Sequence, residues 1–209
     1  MKGCLSFIIK TVIAVLVFFG LLHLGVIDWA KEKYNEWQGK DAERQEKMVD
    51  KTKDIVNLSK IDKEEYSINK DLKLLKNRMI VAEHKATGQK MFMIETKNEN
   101  LLTKEDITSE KIEEKINTLV DKYKYKLVKF EKIEVKKAGE MDSLNQKVPY
   151  VKVIGVVSNL PIKDVEGIVG VAELENEKNM IVLSVNEKGK YSQIITDGFY
   201  NKVEQCTEN

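Results

Sequence analysis

Residues 11–27, "TVIAVLVFFGLLHLGVI", contain no Lys, Arg, Asp or Glu. A bilayer core is about 30 Å thick and a helix rises about 1.5 Å per residue, so roughly 20 apolar residues cross it. The run supplies seventeen. Phe7, Ile8 and Ile9 extend it beyond Lys10, whose ammonium can reach the headgroups while its stem stays in the apolar layer. Trp29 follows where an interfacial aromatic belongs, with Tyr34 and Trp37 further on. A buried helix of a soluble domain would show a polar face, and this run shows none. A cleaved signal would need an A-x-A-like site. The stretch "HLGVIDWAKEK" offers only Ala30, and Cys4 precedes the run, so a lipoprotein-type cysteine is also missing. The expectation is a retained transmembrane helix, with a cleaved signal and a buried helix as the alternatives.

Orientation is less constrained. Lys2 and Lys10 precede the run, while Lys31, Lys33, Lys40 and Arg44 follow it, interleaved with Glu32, Glu36, Asp41 and Glu43. Counting basic residues favours a cytoplasmic C-terminus. Long downstream domains, however, translocate largely regardless of their charge. The basic start resembles a signal anchor, so the expected arrangement is N-in, C-out. The organisation expected is a cytoplasmic tail and anchor over 1–29, a charged helical stalk over 30–63, a globular domain over 64–205 and a short tail over 206–209.

The net charge is +1, with 35 Lys and Arg against 34 Asp and Glu, so no global field recruits nucleic acid. The two cysteines, Cys4 and Cys206, flank the chain and would lie on opposite sides of a membrane. Neither a disulfide framework nor a zinc spacing is present.

Residues 30–60 are rich in charge and helix formers and lack the sustained heptads of a coiled coil. Beyond Tyr66 the pattern turns to strands. "NRMIVAEHKATGQKMFMIET" holds two β-rich runs, 78–83 and 90–96, around a turn at Gly88. Thr103 and Asp106 then form a short-armed capping box. Ile112, Ile116, Leu119, Val120 and Tyr123 recur at helical spacing, which predicts a helix over 104–124 with Glu113 and Glu114 off its apolar stripe. Four strand-like runs follow: "KLVKFEKIEVKK", "VPYVKVIGVVS", "EGIVGVAEL" and "NMIVLSV". Ile194, Ile195, Phe199 and Val203 suggest a closing helix interrupted by Gly198.

The order is hairpin, helix, four-stranded meander, helix. Short polar loops imply antiparallel pairing, and helices with one apolar stripe must cover a sheet. The predicted fold class is therefore α+β, a transmembrane helix and stalk followed by a central antiparallel sheet between helices. The order of "MIVAEHKATGQKMFMIET" and "GIVGVAELENEKNMIVLSVNEKGKYSQIITDGFYNKV" resembles the Mog1/PsbP-like fold, over residues 64–205. The "P-x-G-W"-like opening of that family is replaced here by "YSINKDLKLLKN". The resemblance implies an α/β/α sandwich, and a binding or accessory domain.

Chemistry-bearing residues are sparse. His84 stands beside Glu83 at the first hairpin, where a metal site would need further ligands at a defined spacing. The other histidine, His23, lies in the apolar run, where an ionisable group is a candidate for contact with a partner helix. Ser158 and Ser184 have no histidine in the same domain besides His84, and G-x-x-x-x-G-K-[ST] is absent. The lysines of "KYKYKLVKFEKIEVKK" alternate with apolar residues, as on a half-buried strand. Nucleic acid is not an expected partner. No catalytic, cofactor-binding or metal-ligating residue is predicted, and no cofactor. The expected partners are the lipid bilayer through residues 11–29 and envelope or membrane proteins, with a monomeric soluble domain. The function expected is a membrane-anchored, non-enzymatic binding or scaffold protein with an extracytoplasmic domain. The alternatives are a cytoplasm-facing regulatory subunit and a carboxylate-based enzyme or metal-binding domain.

Overall fold

A computed structural model describes residues 41–74, 77–97, 102–122, 129–158, 164–174 and 178–206. Its elements run α1 (Asp41–Thr52), β1 (Val56–Asn57), β2 (Tyr66–Leu74), β3 (Asn77–His84), β4 (Lys90–Thr96), α2 (Lys104–Thr108), α3 (Ile112–Lys122), β5 (Lys129–Ser143), β6 (Gln146–Ser158), β7 (Asp164–Glu173), β8 (Asn179–Glu187), α4 (Gln193–Tyr200) and β9 (Glu204–Gln205). Seven strands form one sheet in the order β2-β3-β4-β8-β7-β6-β5, and every neighbouring pair is antiparallel. Two meanders, β2–β4 and β5–β8, thus meet at the β4–β8 seam, where Phe92 faces Leu183 and Ile94 faces Ile181.

Both faces of the central strands are buried, which accounts for their nearly unbroken apolar runs. Ile80, Ala82, Met91, Met93, Met180 and Val182 point to one core. Their chain neighbours Met79, Val81, Phe92, Ile94 and Ile181 point to the other, because successive strand residues alternate faces. The first core is closed by Val49 of α1, by Ile55, Val56, Leu58 and Ile61, and by Phe199, Tyr200 and Val203. The second is closed by Ile107 of α2 and by Ile112 and Ile116 of α3, with Leu119 packed at its margin.

Two parts of the expected fold class need correction. The molecule is mostly β, 50% strand against 23% helix, and not the expected α/β/α sandwich. The helices among the described residues have 12, 5, 11 and 8 residues, so each covers a patch of the sheet and none of them builds a layer. The predicted 104–124 helix breaks after Thr108. The Thr103–Asp106 capping box forms as expected, but Ser109 adopts an extended conformation and ends the first turn. The stalk is the second correction. Gln45, Val49 and Thr52 share one buried face of α1, and β1 pairs with β9, setting Val56 against Gln205. Residues 41–61 therefore belong to the globular core. Among the described residues no helix is long and apolar enough to cross a membrane. The predicted anchor, residues 11–27, lies outside them, as do Cys4 and His23.

The β5–β6 hairpin turns on Leu144 and Asn145, with φ of +54° and +58°. Two consecutive positive φ values are what a two-residue type I′ turn needs. Leucine is strained there, but Leu144 is fully buried in the first core and its N–H donates to the Val203 carbonyl at 2.7 Å. Burial of a leucine, worth about 1.5–3 kcal/mol, offsets a left-handed penalty of about 1–2 kcal/mol.

Candidate functional site

The residues that sequence reading singled out are dispersed. His84 ends β3, where its Nδ1 accepts the Thr87 N–H at 3.3 Å and lies 2.9 Å from the Thr87 hydroxyl. Its ring meets Tyr66 edge-on at 5.2 Å. It is thus part of the hairpin turn. Ser158 is the last residue of β6. Cys206 is a free, half-buried thiol just past β9, held above its ordinary pKa by burial and then by the charge of Asp54. Ser184 alone of this group enters a polar cluster, and its partners are not histidine.

That cluster lies where the N-terminus of α4 meets the β4–β8 seam. Gln89, fully buried immediately before β4, is its hub. Its amide nitrogen, with two hydrogens to share, lies 3.0 Å from Ser184 Oγ, 2.9 Å from Thr196 Oγ1 and 2.9 Å from the Ser192 carbonyl. Its oxygen accepts the Ser192 N–H at 2.8 Å. Ser192 is the N-cap of α4, accepting the Ile195 N–H at 3.4 Å, so Gln89 grips the cap itself. Ser184 and Thr196 hydroxyls pair at 2.8 Å, and Thr196 Oγ1 lies 3.0 Å from the Tyr191 hydroxyl. Tyr191 donates to Gln193 Oε1 at 2.8 Å. Burial holds the Tyr191 pKa well above its ordinary value, so its phenol stays protonated and serves as a donor.

The other end of α4 is tied to the same seam. The Tyr200 hydroxyl lies 2.9 Å from the Phe92 carbonyl and 2.7 Å from the Leu183 carbonyl, oxygens of directly paired residues. The Tyr66 hydroxyl donates to the Ile195 carbonyl at 3.1 Å. The helix is consequently fixed along its whole length.

Beside it the sheet carries a charged, aromatic surface. Tyr150 lays its ring over Gly139 of the paired strand, where a Cβ would come within 2.7 Å of that ring. Only glycine leaves the ring that seat. Lys152 pairs with Glu166 at 2.7 Å and lies 5.4 Å from the Tyr191 ring centroid. Glu166 also accepts the Gly189 N–H at 3.2 Å. Its pKa is lowered, chiefly by the Lys152 hydrogen bond. Asp197, one turn into α4, is close enough to Tyr150 and Tyr191 for its charge to raise both phenols, after burial. Ile194, one turn before Asp197, is 84% exposed. Of the apolar positions expected to define this helix, Phe199 and Val203 are buried and Ile195 packs at the core margin, whereas Ile194 is exposed.

Gln89, Tyr191 and Tyr200 were not singled out by the sequence reading. A buried glutamine gives no periodic signal, and the tyrosines merge with apolar runs. Among the described residues no group of three or more His, Cys, Asp or Glu is placed to hold a metal ion. Neither models of known protein families nor curated proteins match this chain.

Proposed function

We propose that this chain is a membrane-held binding or scaffold protein whose β domain presents the α4 surface to a protein partner outside the cytoplasm. The observation that carries the reading is Ile194, 84% exposed on a helix fixed at both ends and one turn from Asp197, whose charge reaches Tyr150 and Tyr191. An apolar residue on a rigid, mixed-charge surface suits protein contact, because little conformational entropy is lost on docking. Within the cluster, Ser184, Thr196 and Tyr191 are occupied with one another and with Gln89, which supports a structural use of these groups over a chemical one. The uncharged run of residues 11–27 supports attachment to a bilayer.

The test has two arms. Photo-crosslinking from position 194 in intact cells should yield a discrete adduct that disappears when Asp197→Lys reverses the charge one turn away. Carbonate washing should leave the chain in membranes and release a Val15→Arg variant, since a central charge costs about 2.5–3.5 kcal/mol on insertion scales. A chain freely extracted by carbonate, or position 194 giving no adduct, defeats the corresponding half of the proposal.

A further inference from the structure

Strands β2, β3 and β4 carry a polar line on the face that, further along, becomes the second core. Ser67 of β2 is paired with Glu83 of β3, and Glu83 with Lys90 of β4. Alternation puts Glu83 and Lys90 on the same face as Val81 and Phe92. Lys90 Nζ forms an ion pair with Glu83 Oε2, and the two side chains are only 8% and 14% exposed. The same Oε2 accepts Asn69 Nδ2 at 2.9 Å. Asn69 is the residue passed over by the register shift between Ile68 and Lys70, and such a bulge can re-aim a side chain. The Ser67 hydroxyl donates to Asn69 Oδ1 at 3.0 Å. One carboxylate oxygen thus holds an amine and a carboxamide side by side, and a hydroxyl polarises the carboxamide from its other end. As an ion pair alone the arrangement adds little, because burying two charges costs about as much as their attraction returns.

We propose that Lys90 and Asn69 join in an amide bond within the folded chain, with Glu83 as the acid–base group. Lys90 Nζ passes one proton to Glu83 Oε2 along their existing contact, which removes both buried charges. The freed electron pair attacks Asn69 Cγ, and the carbonyl π pair moves to Oδ1. The negative charge there develops against the Ser67 hydroxyl, as in an oxyanion hole. Glu83 passes its proton to Asn69 Nδ2 and takes a second proton from Nζ. The Cγ–Nδ2 bond then breaks, its pair leaves with ammonia, and the carbonyl re-forms. The products are a Lys90–Asn69 amide, one ammonia and a neutral Glu83, with no oxidant, reductant or other reactant consumed. An amine and a carboxamide are inert toward each other in free solution, so the reaction depends on the fold holding them together. The bond would tie edge strand β2 to β4 across β3, so that β2 could not peel from the sheet. The inference is independent of the α4 surface and of membrane attachment.

The experiment is mass spectrometry of the full chain purified in detergent. The intact wild-type chain should be lighter than its sequence by one ammonia. Because other asparagines can also lose ammonia, the deciding reading is a branched peptide in a protease digest, joining the segment that contains Lys90 to the segment that contains Asn69. Glu83→Gln keeps the side-chain shape and cannot shuttle the protons, so it should slow linkage by about 100-fold or more, and its Lys90 and Asn69 peptides should be recovered separately. Glu64→Gln, a change to an exposed carboxylate at the start of β2, should leave the branched peptide at the wild-type level. If Glu83→Gln fails to fold by circular dichroism, the wild-type digest alone decides. Separate, unmodified Lys90 and Asn69 peptides from the folded wild type, or a wild-type level of branched peptide in folded Glu83→Gln, overturns the proposal.

Discussion

Deleting residues 41–63 should abolish folding, because that segment supplies one wall of a core. Val49, Ile55, Val56, Leu58 and Ile61 are each no more than 6% exposed. Burying one such side chain is worth about 1.5–3 kcal/mol, so the five together contribute about 8–15 kcal/mol. Compactness of real unfolded chains lowers this by about 10–40%. The remainder is still comparable with the entire stability of an ordinary domain, about 5–15 kcal/mol. The Gln45 bonds to Ile68 and the Asp54 pairing of Arg78 would be lost as well. Two fragments, 41–209 and 64–209, should be compared by urea unfolding with circular dichroism. The longer should unfold cooperatively, and the shorter should lack a transition or show a much shallower slope. Equal midpoints and slopes would refute the argument, and residues 41–63 would then be an appendage after all.

Tyr200→Phe keeps the ring and removes a hydroxyl that serves two seam carbonyls, so it should cost about 0.5–1.5 kcal/mol in urea unfolding. Ile116→Ala, at a position 6% exposed, should cost about 2–5 kcal/mol, whereas Glu114→Ala on the exposed side of α3 should stay within about 0.5 kcal/mol. Glu166 has a pKa below its ordinary 4.5, so its pairing stabilises the fold above that value and is lost as pH falls through the lowered one. A Glu166→Gln variant should therefore lose less stability than the wild type on acidification below about pH 4.5, read as unfolding midpoints across a pH series.

Where the sequence carried periodic apolar signal, the structure was legible in it. The β3–β4 hairpin and the starts of β6, β7 and β8 fall within a few residues of their expected places, because their apolar runs supply the two cores. The Thr103–Asp106 cap was equally plain. Strand β2 was missed: "YSINKDLKLLKN" shows no sustained alternation, as befits an edge strand with a register shift. The 144–145 turn was missed because leucine is not a turn former, and Leu144 is tied there by a hydrogen bond to the Val203 carbonyl, far along the chain. Glu113 was read as a bystander from its place off the apolar stripe. Its actual role, accepting the Val135 N–H, depends on where β5 docks, which helical spacing does not report. The α4 surface was the least legible part, since Gln89, Ser184 and Thr196 are brought together only by the β4–β8 pairing.

Gln45, Gln89 and Asn117 all use a carboxamide to satisfy the N–H and C=O of one residue. A carboxylate could accept the N–H but would face the carbonyl with a second acceptor. Gln89→Glu tests this where burial is complete. The new side chain can donate to the Ser192 carbonyl only when protonated, and the described partners of Gln89 include no cation. Its folded-state pKa should therefore rise above the unfolded glutamate value of about 4.3. In that case the folded state holds the extra proton, so stability falls as pH rises from the unfolded value through the folded one. Each unit of upward shift removes about 1.4 kcal/mol at neutral pH. Relative to the wild type, Gln89→Glu should be nearly tolerated near pH 4 and progressively destabilised toward pH 7. Gln89→Leu carries no titrating group, so its deficit should stay constant over that range. Urea midpoints for the three chains across the pH series decide the matter. A deficit for Gln89→Glu that stays flat with pH would mean that water reaches the carboxylate, and that the hub is not sealed against the seam.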